Sequence, residues 1–370
     1  PEITMLNRST ASGYYDHNFV TVVERLRDHM PGNQSNTIRQ RLWKIRAKQV
    51  ILATGAIERP LLFNNNDKPG IMLASAVSTY LNRYSVKPGS RAVIFTNNDS
   101  AYTTALDLNK AGVNVEALVD LRPRPMGTIS DLLTNIGIPV LDEHTIVNVK
   151  GRTRVNKVQV MAIDKIGESV VGKRHEIKCD LVAVSGGWNP TVHLHTQSGG
   201  SLKFDEFFSC FVPSECAQEE ISVGSSNGTF SLEDCLKEGA TAGVTAAHKT
   251  GFSTGSPTTH AITSPETAIS KQRDLWILPS PDRTGHGPKR FVDLQTDTTI
   301  NDLEIATREG YESIEHIKRY TTLGMGTDQG KSGNMLGIGV VSRIQSKDIS
   351  SIGTTTFRPP YTPVTYGTIA

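Results

Sequence analysis

The six residues Thr96-Asn97-Asn98-Asp99-Ser100-Ala101 stand where a nucleotide-binding crossover carries its glycines. Before them runs the apolar stretch Arg91-Ala92-Val93-Ile94-Phe95. After them comes a helical stretch over 100–111, which Asp99 or Ser100 can cap and Gly112 can end. In a G-x-G-x-x-G turn the glycines let the backbone bend sharply and approach a pyrophosphate at the helix N-terminus. Here the three positions hold Thr96, Asn98 and Ala101. Only the third is compatible, because it packs helix on strand and tolerates alanine. Thr96 and Asn98 add side chains where phosphate would sit, so this unit is expected to keep the nucleotide fold and to have lost its ligand. Asp120 follows the next strand, over 113–119, where a ribose-binding carboxylate belongs, and Arg122 could meet a 2′-phosphate. A solvated strand end is the plainer expectation for both.

A second glycine turn, Ala53-Thr54-Gly55-Ala56, ends the apolar run 49–53 about 40 residues earlier. Glycine there lets a backbone pass close to a bound dinucleotide. A third cluster lies near the end of the chain. Lys318, Arg319, Thr321, Thr322, Gln329 and Lys331 surround two glycine-rich turns. Cations, hydroxyls and open backbone N–H groups together suit a phosphate, although a solvated helix face with capping threonines has the same composition. The single histidines His144, His193 and His195 lie beside strands and loops and are expected to be structural.

The elements that must position these residues follow from pattern. β-rich runs at 19–23 and 43–47 flank a polar turn at 31–33. A helix is expected around 74–84. Strand, capped helix and second strand within about 30 residues imply a right-handed parallel crossover. Three meander strands fit 145–150, 157–163 and 169–179, and a buried strand 180–184 ends at Ser185-Gly186-Gly187. A short strand 221–224 precedes a helix over 231–247, where Ser231 with Asp234 resembles a capping box. Residues 249–288 are rich in Ser, Thr, Gly and Pro and read as a linker. A compact helical piece covers 289–335, with helices expected over 301–309 and 313–320.

Composition excludes several classes. The 370 residues suit two domains, with a small third. With 39 basic against 37 acidic residues, the net charge of +2 argues against nucleic acid or an anionic membrane as partner. No apolar run approaches the roughly 18 residues that span a bilayer, and no basic-then-apolar leader opens the chain. The four cysteines form no Cys-x-x-Cys pair and no His cluster has zinc spacing, so reduced thiols, no metal and a cytoplasmic location are expected. An opening Pro1 without methionine and the Pro-rich stretch before Thr368-Ile369-Ala370 suggest a fragment of a longer chain.

The glycine turns together resemble the glutathione reductase-like flavoproteins. Ala53-Thr54-Gly55-Ala56 is similar to the segment closing their first nucleotide domain. Ser185-Gly186-Gly187-Trp188-Asn189-Pro190 is similar to the closure of the second. Gly224 to Gly243 resembles the element that returns to the cofactor, with Ser225 in place of the usual aspartate. A closer resemblance is to alpha subunits of heterotetrameric sarcosine oxidases. It rests on Arg8-Ser9-Thr10-Ala11-Ser12-Gly13-Tyr14-Tyr15-Asp16-His17-Asn18, on the non-glycine turn 95–102, on 315–331 and on Gly353-Thr354-Thr355-Thr356-Phe357-Arg358-Pro359-Pro360.

The resemblance implies an α/β fold of two dinucleotide-binding, Rossmann-type domains of the glutathione reductase/thioredoxin reductase kind, then a small helical domain. Its divisions are an incomplete first dinucleotide domain at 1–85, a second with a degenerate glycine motif at 86–190, and a return to the first at 191–250. A linker at 251–288, the helical domain at 289–340 and a linker at 341–370 follow. The helical piece resembles an iron–sulfur domain of related amine and opine dehydrogenases, but 291–297 and 327–333 hold no cysteine, so no thiolate can carry iron. The expected activity is oxidative demethylation of sarcosine to glycine, with hydrogen peroxide formed and a one-carbon unit passed to tetrahydrofolate in a domain beyond this chain. Implied cofactors are NAD, at Thr54, Gly55, Gly186, Gly187 and Gly224, and FMN at the interface with a beta subunit, its phosphate at Lys318, Arg319, Thr321, Thr322, Gln329 and Lys331. FAD belongs to the beta subunit; gamma and delta subunits complete the assembly. No catalytic residue is assigned. The alternatives are an alpha subunit of a proline or opine dehydrogenase-type complex, and a non-catalytic scaffold.

Overall fold

The computed structural model describes residues 3–30, 37–123, 128–252, 255–257, 270–282 and 287–370. The polar turn expected at 31–33 lies outside them. Five parallel strands form the central sheet, in the spatial order Ile71–Leu73, Leu181–Ser185, Arg91–Thr96, Asn114–Asp120, Val140–Asp142. Successive side chains of a strand point to opposite faces, and this sheet buries both. Val93, Phe95, Val182 and Val184 face one core, which the antiparallel meander His144–Lys150, Lys157–Ile163 and Val170–Lys178 covers. Ala92, Ile94, Leu181 and Ala183 face the other, packed by the helices Ala74–Tyr84 and Ser100–Lys110. Burial on both faces explains why 91–95 and 181–184 are continuous apolar runs rather than alternating ones.

The other dinucleotide half contributes less. Val50–Leu52 pairs in parallel with Glu220–Ser222, and the helix Leu232–Lys249 follows, its Ser231 Oγ accepting from the Asp234 N–H. An antiparallel sheet of Ser9–Tyr15, Phe19–Arg25 and Gln40–Arg46 stands beside it. The first of these strands escaped the sequence reading.

The helical part starts with the hairpin Phe291–Asp293 and Thr298–Thr299 and continues through helices Ile300–Arg308, Ile314–Thr321 and Asn334–Gln345. Nine of the twelve residues of the last helix are buried. Two glycines allow this. A Cβ at Gly337 would come within 2.4 Å of Leu323, and one at Gly339 within 2.2 Å of the Trp276 ring.

Three expectations are corrected. Residues 270–282 are not a loose linker: Gln272 and Leu278 are buried, and Arg273 donates to the carbonyls of Leu121 and Asp164. Residues 341–370 are not simply a linker either. The helix Asn334–Gln345 runs through position 341, and Thr355 and Tyr361 accept hydrogen bonds from Asn334 and Lys331. Finally, the helix Ser100–Lys110 receives no side-chain cap from Asp99; Asn98 Oδ1 accepts from the Ser100 N–H instead, at 3.1 Å.

Candidate functional site

Side chains fill the crossover turn. Asn98 donates to Ser185 Oγ at 2.9 Å, and its Oδ1 accepts from both the N–H and the hydroxyl of Ser100. Thr96 donates to the Asn98 carbonyl, and Asn97 reaches the Arg273 carbonyl at 3.3 Å. All three residues are buried. Residues 270–274 then lie across the same end of the sheet. The Ser270 N–H donates to Asp99, and Gln272 accepts from Arg59 at 2.9 Å. A dinucleotide would need this space; the chain occupies it.

Asp120 and Arg122 are not a solvated strand end. They are 0% and 3% exposed. Arg122 donates to Asp120 at 2.8 Å and lies 2.8 Å from Asp99, while the Tyr102 hydroxyl donates to Asp120 at 2.8 Å. Burial works against the Arg122 charge, but the hydrogen bonds and charge of Asp120 outweigh it and hold the guanidinium protonated. The carboxylate that would meet a ribose hydroxyl is thus taken by an arginine two residues away.

The glycine residues divide between the two halves. Gly186 and Gly187 are closed in. A Cβ at Gly186 would strike the Pro60 carbonyl at 2.4 Å, and one at Gly187 would strike Gln272 at 2.4 Å. Arg59, fully buried, donates to the Gly186 carbonyl at 2.5 Å and to those of Ser209 and Asn189 side chain, and stacks on Trp276. Thr54, Gly55 and Gly224 are different. They follow the C-terminal ends of two neighbouring parallel strands, Val50–Leu52 and Glu220–Ser222. Gly55 has φ +75° and nothing within 4 Å of where its Cβ would be. Gly224 has φ +67° and donates its N–H to Glu238, which also accepts from Thr229. Thr54 donates to the Thr191 carbonyl at 2.8 Å. This edge is open, and crevices beyond the carboxyl ends of parallel strands are where such folds bind dinucleotides.

The six residues of the helical cluster fall into two groups. Arg319 pairs with Glu315 at 3.2 Å on the exposed face of Ile314–Thr321, and Lys318 lies half-buried close by. Burial lowers the Lys318 pKa, and Arg358 and Arg319 add repulsion. Thr321 and Thr322 bond locally, to the carbonyls of Ile317 and Thr321. Thr322 and Gln329 take left-handed backbone, at φ +61° and +53°. Lys331 turns the other way. It donates to the carbonyls of Asp328 and Tyr361 and sits 4.2 Å from the Tyr361 ring centre.

Sequence reasoning missed two polar contacts. His195 Nδ1 lies 2.6 Å from Glu220 and Nε2 lies 2.8 Å from the Ser201 carbonyl. His195, Cys216 and Glu220 offer ligand atoms within 4.8 Å of one another, a set able to hold a metal, yet both imidazole nitrogens are already committed. His193 is 5% exposed, packs against Phe357 and Tyr361, and finds no hydrogen-bond partner for either nitrogen. No local spacing signals either arrangement.

Among the described residues no helix is long and apolar enough to cross a membrane. The family model described as the sarcosine oxidase A3 domain matches residues 287–370. The sarcosine oxidase subunit alpha of Corynebacterium sp. (strain P-1) is 39% identical over 374 residues, covering 100% of this chain and 38% of that protein. That of Rhizobium meliloti (strain 1021) is 37% identical over 377 residues, covering 100% of this chain and 36% of its own length. The chain therefore spans a little over a third of these relatives. A solved L-proline dehydrogenase from P. horikoshii superposes with TM-score 0.65 at 22% identity, over 98% of this chain and 64% of that one, which shows a shared fold. From end to end, the chain therefore matches sarcosine oxidase alpha subunits as a fragment of them.

Proposed function

We propose that this chain is the nucleotide-binding part of an oxidoreductase that demethylates sarcosine oxidatively to glycine, with hydrogen peroxide formed and the one-carbon unit passed to tetrahydrofolate. NAD is assigned to the open edge at Thr54, Gly55 and Gly224. The observation that carries the reading is the contrast between the two halves: one edge has open space over Gly55, and the other is filled by Asn97, Asn98 and residues 270–274. Gly186 and Gly187, expected among the cofactor contacts, serve here as close-packing positions around Arg59.

The exposed side of the helical cluster fits a flavin phosphate. Lys318 and Arg319 present cations beside the left-handed turn at Thr322, with Gln329 on the following turn, whereas Lys331 is committed to the carbonyls of Asp328 and Tyr361. In this proposal FMN lies there, against a beta subunit that also holds FAD, and gamma and delta subunits complete the assembly. A bound flavin would supply the two-electron acceptor; this chain's cations would fix its phosphate. The reaction of the amine belongs to the partner.

The test is cofactor analysis of the intact complex. Release by denaturation followed by mass spectrometry is expected to give NAD and FMN. Arg319→Ala with Lys318→Ala is expected to lower FMN content while leaving NAD content intact. An unchanged FMN content would sink the phosphate assignment, and a complex without NAD would favour a purely structural role for both nucleotide halves.

A further inference from the structure

A small cavity of about 50 Å³ lies between the segment Asn189–His193 and the helix Asn334–Gln345. Its walls are largely apolar, with Val192, Phe211 and Ile338 among them. Five polar residues break that pattern, Asn189, His193, Lys331, Asn334 and Thr354, and two of them can donate to an anion with hydrogens not used elsewhere. His193 lines it with both ring nitrogens unpartnered and buried. Lys331 lines it too, and its two bonds, to the carbonyls of Asp328 and Tyr361, leave one of three ammonium hydrogens free. No carboxylate lines the cavity.

Leaving such groups unmatched is unfavourable. A buried donor or acceptor without a partner costs about 1–3 kcal/mol, and a half-buried ammonium with no carboxylate among the cavity walls adds to that. His193 is held neutral: burial first, and the Lys331 charge second, lower its pKa to about 3. One of its nitrogens is therefore a donor and the other an acceptor.

We propose that the cavity binds a short monocarboxylate, of formate to acetate size, with one oxygen accepting from Lys331 and the other from the His193 N–H. A single cation calls for a single negative charge, so a phosphate dianion is poorly matched. The volume leaves room for one or two carbons beyond water, which needs roughly 10–15 Å³ on the same measure. The apolar walls suit a methyl group. The site does not depend on the flavin assignment, because Lys331 is held by the Asp328 and Tyr361 carbonyls and takes no part in it.

The experiment uses the intact subunit with its partners. Carbon-13-labelled acetate and formate are titrated by NMR, with chloride and butyrate as comparisons. Saturable binding of acetate and formate is expected, with butyrate at least about tenfold weaker and acetate weakened at least about tenfold by Lys331→Met. Should that variant fail to fold, the wild-type competition decides alone. Displacement of acetate by formate but not by chloride supports the site. Absence of saturable binding, equal displacement by chloride, or a crystal soaked in acetate that shows only water beside His193 overturns it.

Discussion

The His195 imidazole lies 2.6 Å from the Glu220 carboxylate and 2.8 Å from the Ser201 carbonyl, so it has an acceptor on each side. A carbonyl cannot donate, and an ionised carboxylate cannot either. Both contacts favour hydrogen on both nitrogens, so the fold stabilises the imidazolium form of His195 even at 1% exposure. Ser198 and Ser222 also donate to Glu220, which anchors the strand Glu220–Ser222 beside the open edge.

That arrangement sets a pH dependence. Burial disfavours the His195 charge, but Glu220 and the Ser201 carbonyl outweigh it and raise the pKa. A group raised on folding contributes stability that is complete below its unfolded value, about 6.5, and is lost as pH rises through the folded value. The urea midpoint of wild type is expected to fall over that alkaline side. In His195→Gln that part of the slope should vanish; an unchanged profile would show that the imidazole is not charged.

Arg122→Met leaves Asp120 buried with only Tyr102 and a backbone N–H as partners. Removing one member of a buried pair costs about 3–5 kcal/mol. Urea denaturation should show that loss, and Asp120→Asn added to Arg122→Met should recover part of it. A double variant no better than the single would mean that the charge of Asp120 is not the source of the cost.

Gly339→Ala sets two effects against each other. Alanine gains up to about 1 kcal/mol in helix propensity. Its Cβ would enter the Trp276 ring at 2.2 Å, and overpacking of that kind costs about 1–3 kcal/mol. Overpacking should win, with a lower unfolding midpoint and altered tryptophan emission. A more stable protein would show that Trp276 can move aside freely.

For the proposed NAD edge, Gly55→Val is expected to weaken NAD binding by at least about tenfold, since a branched side chain strains left-handed backbone and covers the edge. Asn98→Gly should change NAD affinity little, because residues 270–273 still close that half. Isothermal titration on the intact subunit separates the two. Tighter binding in Asn98→Gly would place the nucleotide over the crossover turn instead.

Much of the central sheet was legible because its physics is local. Apolar runs at 91–95 and 180–184, a polar turn and a helix stop at Gly112 dictate the observed strands Arg91–Thr96 and Leu181–Ser185. The helices Ile300–Arg308 and Ile314–Thr321 begin within a residue of expectation, since one apolar face and capping residues mark them. The helix Asn334–Gln345 gave no such signal. Buried nearly all round and carrying Gly337 and Gly339, it has neither periodicity nor propensity. Residues 270–282 carry loop composition and gain order only from distant partners such as Asp99 and Leu121. In the candidate site, the filled crossover turn could be read from Thr96 and Asn98. The pairing of His195 with Glu220 could not, because nothing in the intervening 24 residues marks it.

By laying residues 270–274 over the degenerate turn, the chain makes itself the tenant of a berth that related folds lease to a mobile molecule. What elsewhere is an affinity, tunable by concentration, is here a permanent share of the folding equilibrium. Restoring glycines at 96 and 98 would therefore not reopen the berth; the tenant would have to be evicted as well, and Arg59, Gln272 and Trp276 would lose their footing with it.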